Sequence, residues 1–182
     1  MTLSISSALA RTYFGKYRGT VVNNIDPKQE GRLMLTVPDV TGETPTDWAP
    51  PVVLLAGPTG LPMGMYAIPP IGAGVWVEFE QGDAGKPIWI GCRWGSTADI
   101  PMSAKLGIPA SPNICFQTLN QHMLMLSDMP SSPETGGIVL KSITGAKIIV
   151  NDAGIFIDNG KGASITLTAN TVNINLGALT VA

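Results

Sequence analysis

Few residues in this chain combine the types and spacing that chemistry requires. Its single histidine, His122, lies in Leu119-Asn120-Gln121-His122-Met123-Leu124-Met125-Leu126-Ser127-Asp128, with no second imidazole or thiol beside it. Cys92 and Cys115 belong to no Cys-x-x-Cys or Cys/His cluster and read as two reduced, buried thiols. Asp47, Glu78 and Glu80 have no His or Cys partner, so nothing argues for a general acid/base site. Asp128 and Glu134 stand in turn-like surroundings and do not form a hydrolytic carboxylate pair. Gly72-Ala73-Gly74 precedes a strand, and without a following Lys-Ser/Thr or helix start it is no phosphate-cradling loop. Trp76, Trp89 and Trp94 could stack single-stranded nucleic acid or sugar. Their acidic neighbours Glu78, Glu80 and Asp83 would repel phosphate, so they read as core or subunit-interface packing. The expectation is therefore no catalytic residue, no cofactor and no metal ligand.

The elements that hold these residues are short strands. Residues 1–15 form an N-terminal arm. Tyr17-Arg18-Gly19-Thr20-Val21-Val22 alternates, and Asn23-Asn24-Ile25-Asp26-Pro27 makes a turn. Gly31 to Pro38 alternates again, with Leu33, Leu35 and Val37 on one face. A loop rich in Pro, Gly and Thr covers about 41–65. Gly74 to Glu80 and Pro87 to Trp94 are two further strands, joined by the turn Gln81 to Lys86. Strands this short, in so small a span, suit a closed barrel, which leaves no free sheet edge.

Composition points towards assembly. The 182 residues are 45% hydrophobic but only 13% charged, against roughly 25% in an ordinary soluble domain. Burying neutral surface against further copies is one remedy. The net charge of −2 offers no basic footprint for nucleic acid or anionic lipid. The 21 Gly and 15 Pro favour turns and strands over long helices. Neither a signal peptide nor a membrane helix is expected, so synthesis is placed in the cytoplasm.

Residues 96–135 read as a linker and neck, and after them the pattern changes. Apolar pairs in an i, i+2 arrangement recur: Ile138/Leu140, Ile148/Val150, Ile155/Ile157, Ile165/Leu167, Val172/Ile174 and Leu179/Val181. Gly, Asn, Asp and Ser separate them. Alternation turns these pairs to one side, with Lys141, Ser142, Lys147, Thr166, Thr168, Asn173 and Asn175 outward. Short strands with tight turns are the sequence form of a β-solenoid or meander stack. Twelve inward side chains, none aromatic, are too few to offset the entropy of ordering residues 136–182 in one chain. Three such stripes facing a common axis would fill a narrow core; a two-chain or single-chain solenoid is the alternative. His122 is read as outward and solvated, sharing the inward register only if that of Leu124 and Leu126 extends through it. On a threefold axis, three copies of it could hold a metal or an anion.

Residues 14–95 resemble the N-terminal oligonucleotide/oligosaccharide-binding (OB) fold of the baseplate assembly protein V family. That family includes the central spikes of contractile phage tails and is related to the valine-glycine repeat spikes of type VI secretion. The resemblance rests on Tyr17 to Pro27, Gly31-Arg32-Leu33 with Val37-Pro38, Trp48-Ala49-Pro50, Pro69 to Asp83, and Pro87-Ile88-Trp89-Ile90-Gly91. The tail, Gly137 to Ala182, is similar to the trimeric β-helix that follows in those proteins. The implied fold is all-β: an arm (1–15), an OB-fold barrel (16–95), a linker and neck (96–135), then an intertwined trimeric β-helix needle (136–182).

The implied role is a homotrimeric, non-enzymatic spike of a virion tail baseplate or equivalent injection particle. It would dock on a hub protein by its barrel and transiently pierce a target envelope. The expected trimer core is Ile138, Leu140, Ile148, Val150, Ile155, Ile157, Ile165, Leu167, Val172 and Ile174. The chain departs from some relatives in having no room for a lysozyme domain between barrel and needle. It also lacks the tip His-x-His that holds iron in certain short spikes. Its apolar end, Leu179, Thr180, Val181 and Ala182, is the expected dock for a separate PAAR-type tip protein. A single-strand nucleic-acid-binding barrel and a cell-wall-degrading spike are the alternative functions.

Overall fold

The computed structural model describes residues 11–181, and the chain divides into two units, Met1–Gly95 and Ser96–Ala182. The first ten residues of the arm lie outside the described residues.

The first unit is built on strands β1 (Tyr17–Asn23), β2 (Met34–Thr36), β3 (Gly74–Phe79) and β4 (Pro87–Arg93), all antiparallel in the order β2-β1-β3-β4. This sheet alone is open. The segment 45–52 joins its two edges: Leu33 and Ala49 exchange backbone hydrogen bonds, and Val52 N donates to Trp89 O at 2.9 Å. The backbone groups of β2 and β4 thus find partners where free edges would otherwise stand.

The alternation seen in the sequence fills the interior. Leu33, Leu35 and Val37 are fully buried, beside Val21, Ala49, Val75, Val77, Phe79 and Trp89. The Trp89 indole donates to Gly31 O at 3.1 Å, which satisfies its N–H inside the core. Trp76 is half-buried and Trp94 exposed, so the three tryptophans form no common platform. The Tyr13, Tyr17 and Phe79 rings pack with centroids 5.6 to 6.2 Å apart, and Tyr13 N donates to Gly82 O, which ties residues 11–15 to the barrel.

The turn after β1 is held by a carboxylate. Asp26 accepts the amides of Lys28, Glu30 and Arg32, and receives the Arg32 side chain at 2.5 Å. Arg32 also lies over the Trp48 ring at 5.5 Å. The guanidinium and the three amides hold the Asp26 carboxyl well below the usual carboxylate range.

The second unit is one antiparallel meander of eight strands in sequence order. These are β5 (Ile114–Gln117), β6 (Met123–Ser127), β7 (Gly137–Lys141), β8 (Lys147–Asn151), β9 (Gly154–Asp158), β10 (Ser164–Thr168), β11 (Thr171–Ile174) and β12 (Leu179–Val181). Its first two strands lie within the stretch read above as linker and neck. Tight turns follow from local chemistry: Asn151 Oδ1 accepts Ala153 N, and Asp158 Oδ1 accepts Gly160 N. At Gly154 (φ +149°) a Cβ would meet the Leu167 carbonyl oxygen of the next strand at 2.2 Å, so only glycine fits.

Candidate trimer interface

The register of the meander aligns the apolar pairs into two rows. Leu124, Leu140, Ile148, Ile157, Ile165 and Ile174 stand directly opposite one another across successive strands, and Leu179 follows. Leu126, Ile138, Val150, Ile155, Leu167 and Val172 form the second row in the same way. Phe116 and Ile114 extend the rows onto β5. Because side chains alternate along a strand, both rows share one face of the sheet. From β6 to β10 their members are between 36% and 48% exposed in the single chain. Val172 and Ile174 are half-buried on the same face.

The ten residues expected to form a core are therefore brought together, side by side, on an open apolar surface. β5 and β6 lengthen it beyond the expected start at residue 136. A groove of about 940 Å³ runs along the first row, with Phe116, Leu124, Leu140, Ile148, Ile157 and Ile165 in its wall. Lys141, Lys147 and Asp158 line it as well.

His122 also lines this groove. It is exposed in the single chain. It stands just before β6, in the turn where His122 O accepts Thr118 N.

The opposite face carries a feature that the sequence reading missed. Val139, Ile149 and Phe156 are paired across strands in a central column, and all three are buried together with Met123. They are the middle residues of the apolar pairs, so β7, β8 and β9 are apolar on both sides. The uninterrupted runs Ile138-Val139-Leu140 and Ile148-Ile149-Val150 were the available signal. In β10 and β11 the same column becomes Thr166 and Asn173, as the outward assignment had it.

A loop is fastened near this column's edge. Asn151 Nδ2 donates to the carbonyls of Ser132 and Thr135 at 2.8 and 2.9 Å, and Glu134 pairs with Lys147.

Cys92 is exposed on β4 and Cys115 half-buried on β5. Neither is the fully buried thiol expected, because both sit near the ends of their strands. Partial burial still pushes both thiols up from their usual value, away from the reactive thiolate. Leu179, Thr180 and Val181 form β12, and Ala182 lies outside the described residues.

Residues 17–94 match the family model of the type VI secretion system/phage-baseplate injector OB domain. Residues 113–180 match that of the phage baseplate V C-terminal trimerisation domain. The chain belongs to the phage baseplate V family. No curated protein matches it. For a baseplate V protein the all-β architecture is as expected: an OB domain, then a trimerisation domain that starts at β5 and contains both apolar rows. The family role is that of a spike component of a phage baseplate or related injection particle.

Proposed function

We propose that three copies of this chain form the central spike of a contractile injection machine. In this reading each copy turns its two apolar rows to a common axis. Ile138, Leu140, Ile148, Val150, Ile155, Ile157, Ile165, Leu167, Val172 and Ile174 then make the shared core. The carrying observation is the open double row itself, a contiguous apolar face within a trimerisation domain. Monomers rarely show water an apolar patch of this extent. Sedimentation equilibrium of the full chain is expected to give three times 19.0 kDa, and a stable monomer would overturn the reading.

The spike works mechanically and has no active site. It is made in the cytoplasm, assembles into the particle, docks on the hub by its OB end and enters the target envelope transiently. Nucleic acid is not a partner. Leu176, 91% exposed in the turn before β12, and the exposed Leu179 support an apolar terminal surface. Together with Thr180, Val181 and Ala182 they would seat a PAAR-type tip protein. Loss of tip-protein capture in a Leu176→Asp/Leu179→Asp chain that remains trimeric is the expected result. Undiminished capture would place the dock elsewhere.

A further inference from the structure

Residues 48–77 contain no charged side chain and no histidine. Within them a hairpin stands out from the OB unit. Met65 N donates to Leu55 O, Gly57 N to Met63 O, and Leu61 N closes the tip on Pro58 O. Its base is fixed by the Val52–Trp89 hydrogen bond and by Ile68, which packs against the barrel core.

The hairpin's side chains are apolar and face water. Leu54 is 90% exposed, and Val52, Leu61, Met63 and Tyr66 are each more than half exposed. A two-stranded hairpin is marginal alone, and apolar exposure makes it more so. The exposed side chains of 52–66 amount to on the order of 400–500 Å² of apolar surface, at roughly 60–120 Å² for a whole side chain. That is about the apolar part of one partner's share in a standard protein interface.

The same unit carries a second exposed apolar surface. Val22, Ile25 and Ile71 are exposed on two segments, the end of β1 with its turn and the 69–73 turn, that are hydrogen-bonded to each other. Gly72 N donates to Val21 O at 2.8 Å, and Asn24 Nδ2 to Pro69 O at 3.1 Å. Two different patches are what a cyclic contact requires, since each copy gives one and receives with the other. A single foreign partner needs only one. Residues 95–112 also tether each OB unit to the trimerisation domain, which holds the three units together at an effective concentration of order millimolar.

We infer that hairpin 52–66 of one copy packs on the Val22–Ile25–Ile71 surface of the next, closing a ring of three OB domains. This rests on the trimer proposed above. The test uses the full chain with a benzoylphenylalanine photo-crosslinker in place of Leu54, whose exposure makes misfolding a minor concern. Irradiation is expected to give covalent dimer and trimer, with the crosslinks mapping to peptides that contain Val22–Ile25 or Ile71. A Leu54→Cys/Ile25→Cys chain in a Cys92→Ser/Cys115→Ser background should form a disulfide-linked trimer that neither single cysteine gives.

Sedimentation of the same samples separates the two ideas. A trimer whose hairpin yields no inter-copy product overturns the ring and leaves the spike standing. So does a hairpin that crosslinks only to added phosphatidylglycerol vesicles or to another protein. A monomer overturns both.

Discussion

Ile148 and Ile149 are neighbours on β8 that point to opposite faces, and they offer a matched pair of perturbations. Ile149 is 1% exposed in the single chain, buried within the central column with Val139 and Phe156. Ile149→Ala should cost about 2–5 kcal/mol per chain whatever the oligomeric state. Ile148 is 41% exposed on the double row. If that face met only water, Ile148→Ala would cost about 0.5–1 kcal/mol, as near-surface truncations do. Against two other copies the same change opens a cavity, and the cost rises to about 2–5 kcal/mol per chain, tripled in a trimer that dissociates and unfolds as one. Urea denaturation of both variants at several protein concentrations reads the difference. The two midpoint shifts should be comparable, and all midpoints should rise with concentration, since unfolding releases three chains. The reasoning is refuted if Ile148→Ala shifts the midpoint by less than a third of the Ile149→Ala shift and dilution moves neither.

Three further outcomes follow from local geometry. Gly154→Ala sets a Cβ against the Leu167 carbonyl at a positive φ; it should cost about 2–4 kcal/mol, measured by thermal or urea unfolding. Asn151→Ala removes the donor to Ser132 and Thr135 and should cost about 1–3 kcal/mol, with faster amide hydrogen exchange in 129–136 than elsewhere in the meander. Asp26 is held below its unfolded value, so its contribution is present above the usual carboxylate pKa of about 4 and fades as pH falls towards the lower folded value. Asp26→Asn should therefore lower the melting temperature at neutral pH and flatten its decline below about pH 4; an unchanged acid profile would count against the Arg32 pairing.

The barrel was legible because half of each strand is core. Leu33, Leu35 and Val37 alternate, and period two alone assigns them to the interior. The paired isoleucines of β7 to β10 were legible for the same reason. The central column was less so. Where Ile138, Val139 and Leu140 run together, alternation cannot say which face is which, and only the pairing of Val139 with Ile149 and of Ile149 with Phe156 reveals a second row. The hairpin at 52–66 was hidden in a stretch of Pro and Gly that reads as loop. Its strands are held by isolated hydrogen bonds with no periodic pattern behind them.

The direction of the rows bears on the work the domain does. In a meander the apolar rows run perpendicular to the strands, along the hydrogen-bonding direction. Eight strands at about 4.8 Å spacing extend the rows over roughly 34 Å. A load applied along the rows therefore acts on backbone hydrogen bonds and on stacked isoleucine side chains together, as it does in cross-β material. Bending would require the rows to separate on one side, and branched side chains with few rotamers resist that. Short strands suit this arrangement, because each adds length along the rows and little width across them. In the proposed spike, stiffness would come from register, which holds only while every strand keeps its two apolar positions on the same face. A one-residue slip in β10 or β11 would turn Thr166 or Asn173 into the rows, so the turns that set register, with Asn151, Gly154 and Asp158 at their corners, matter to the rows as much as the isoleucines do.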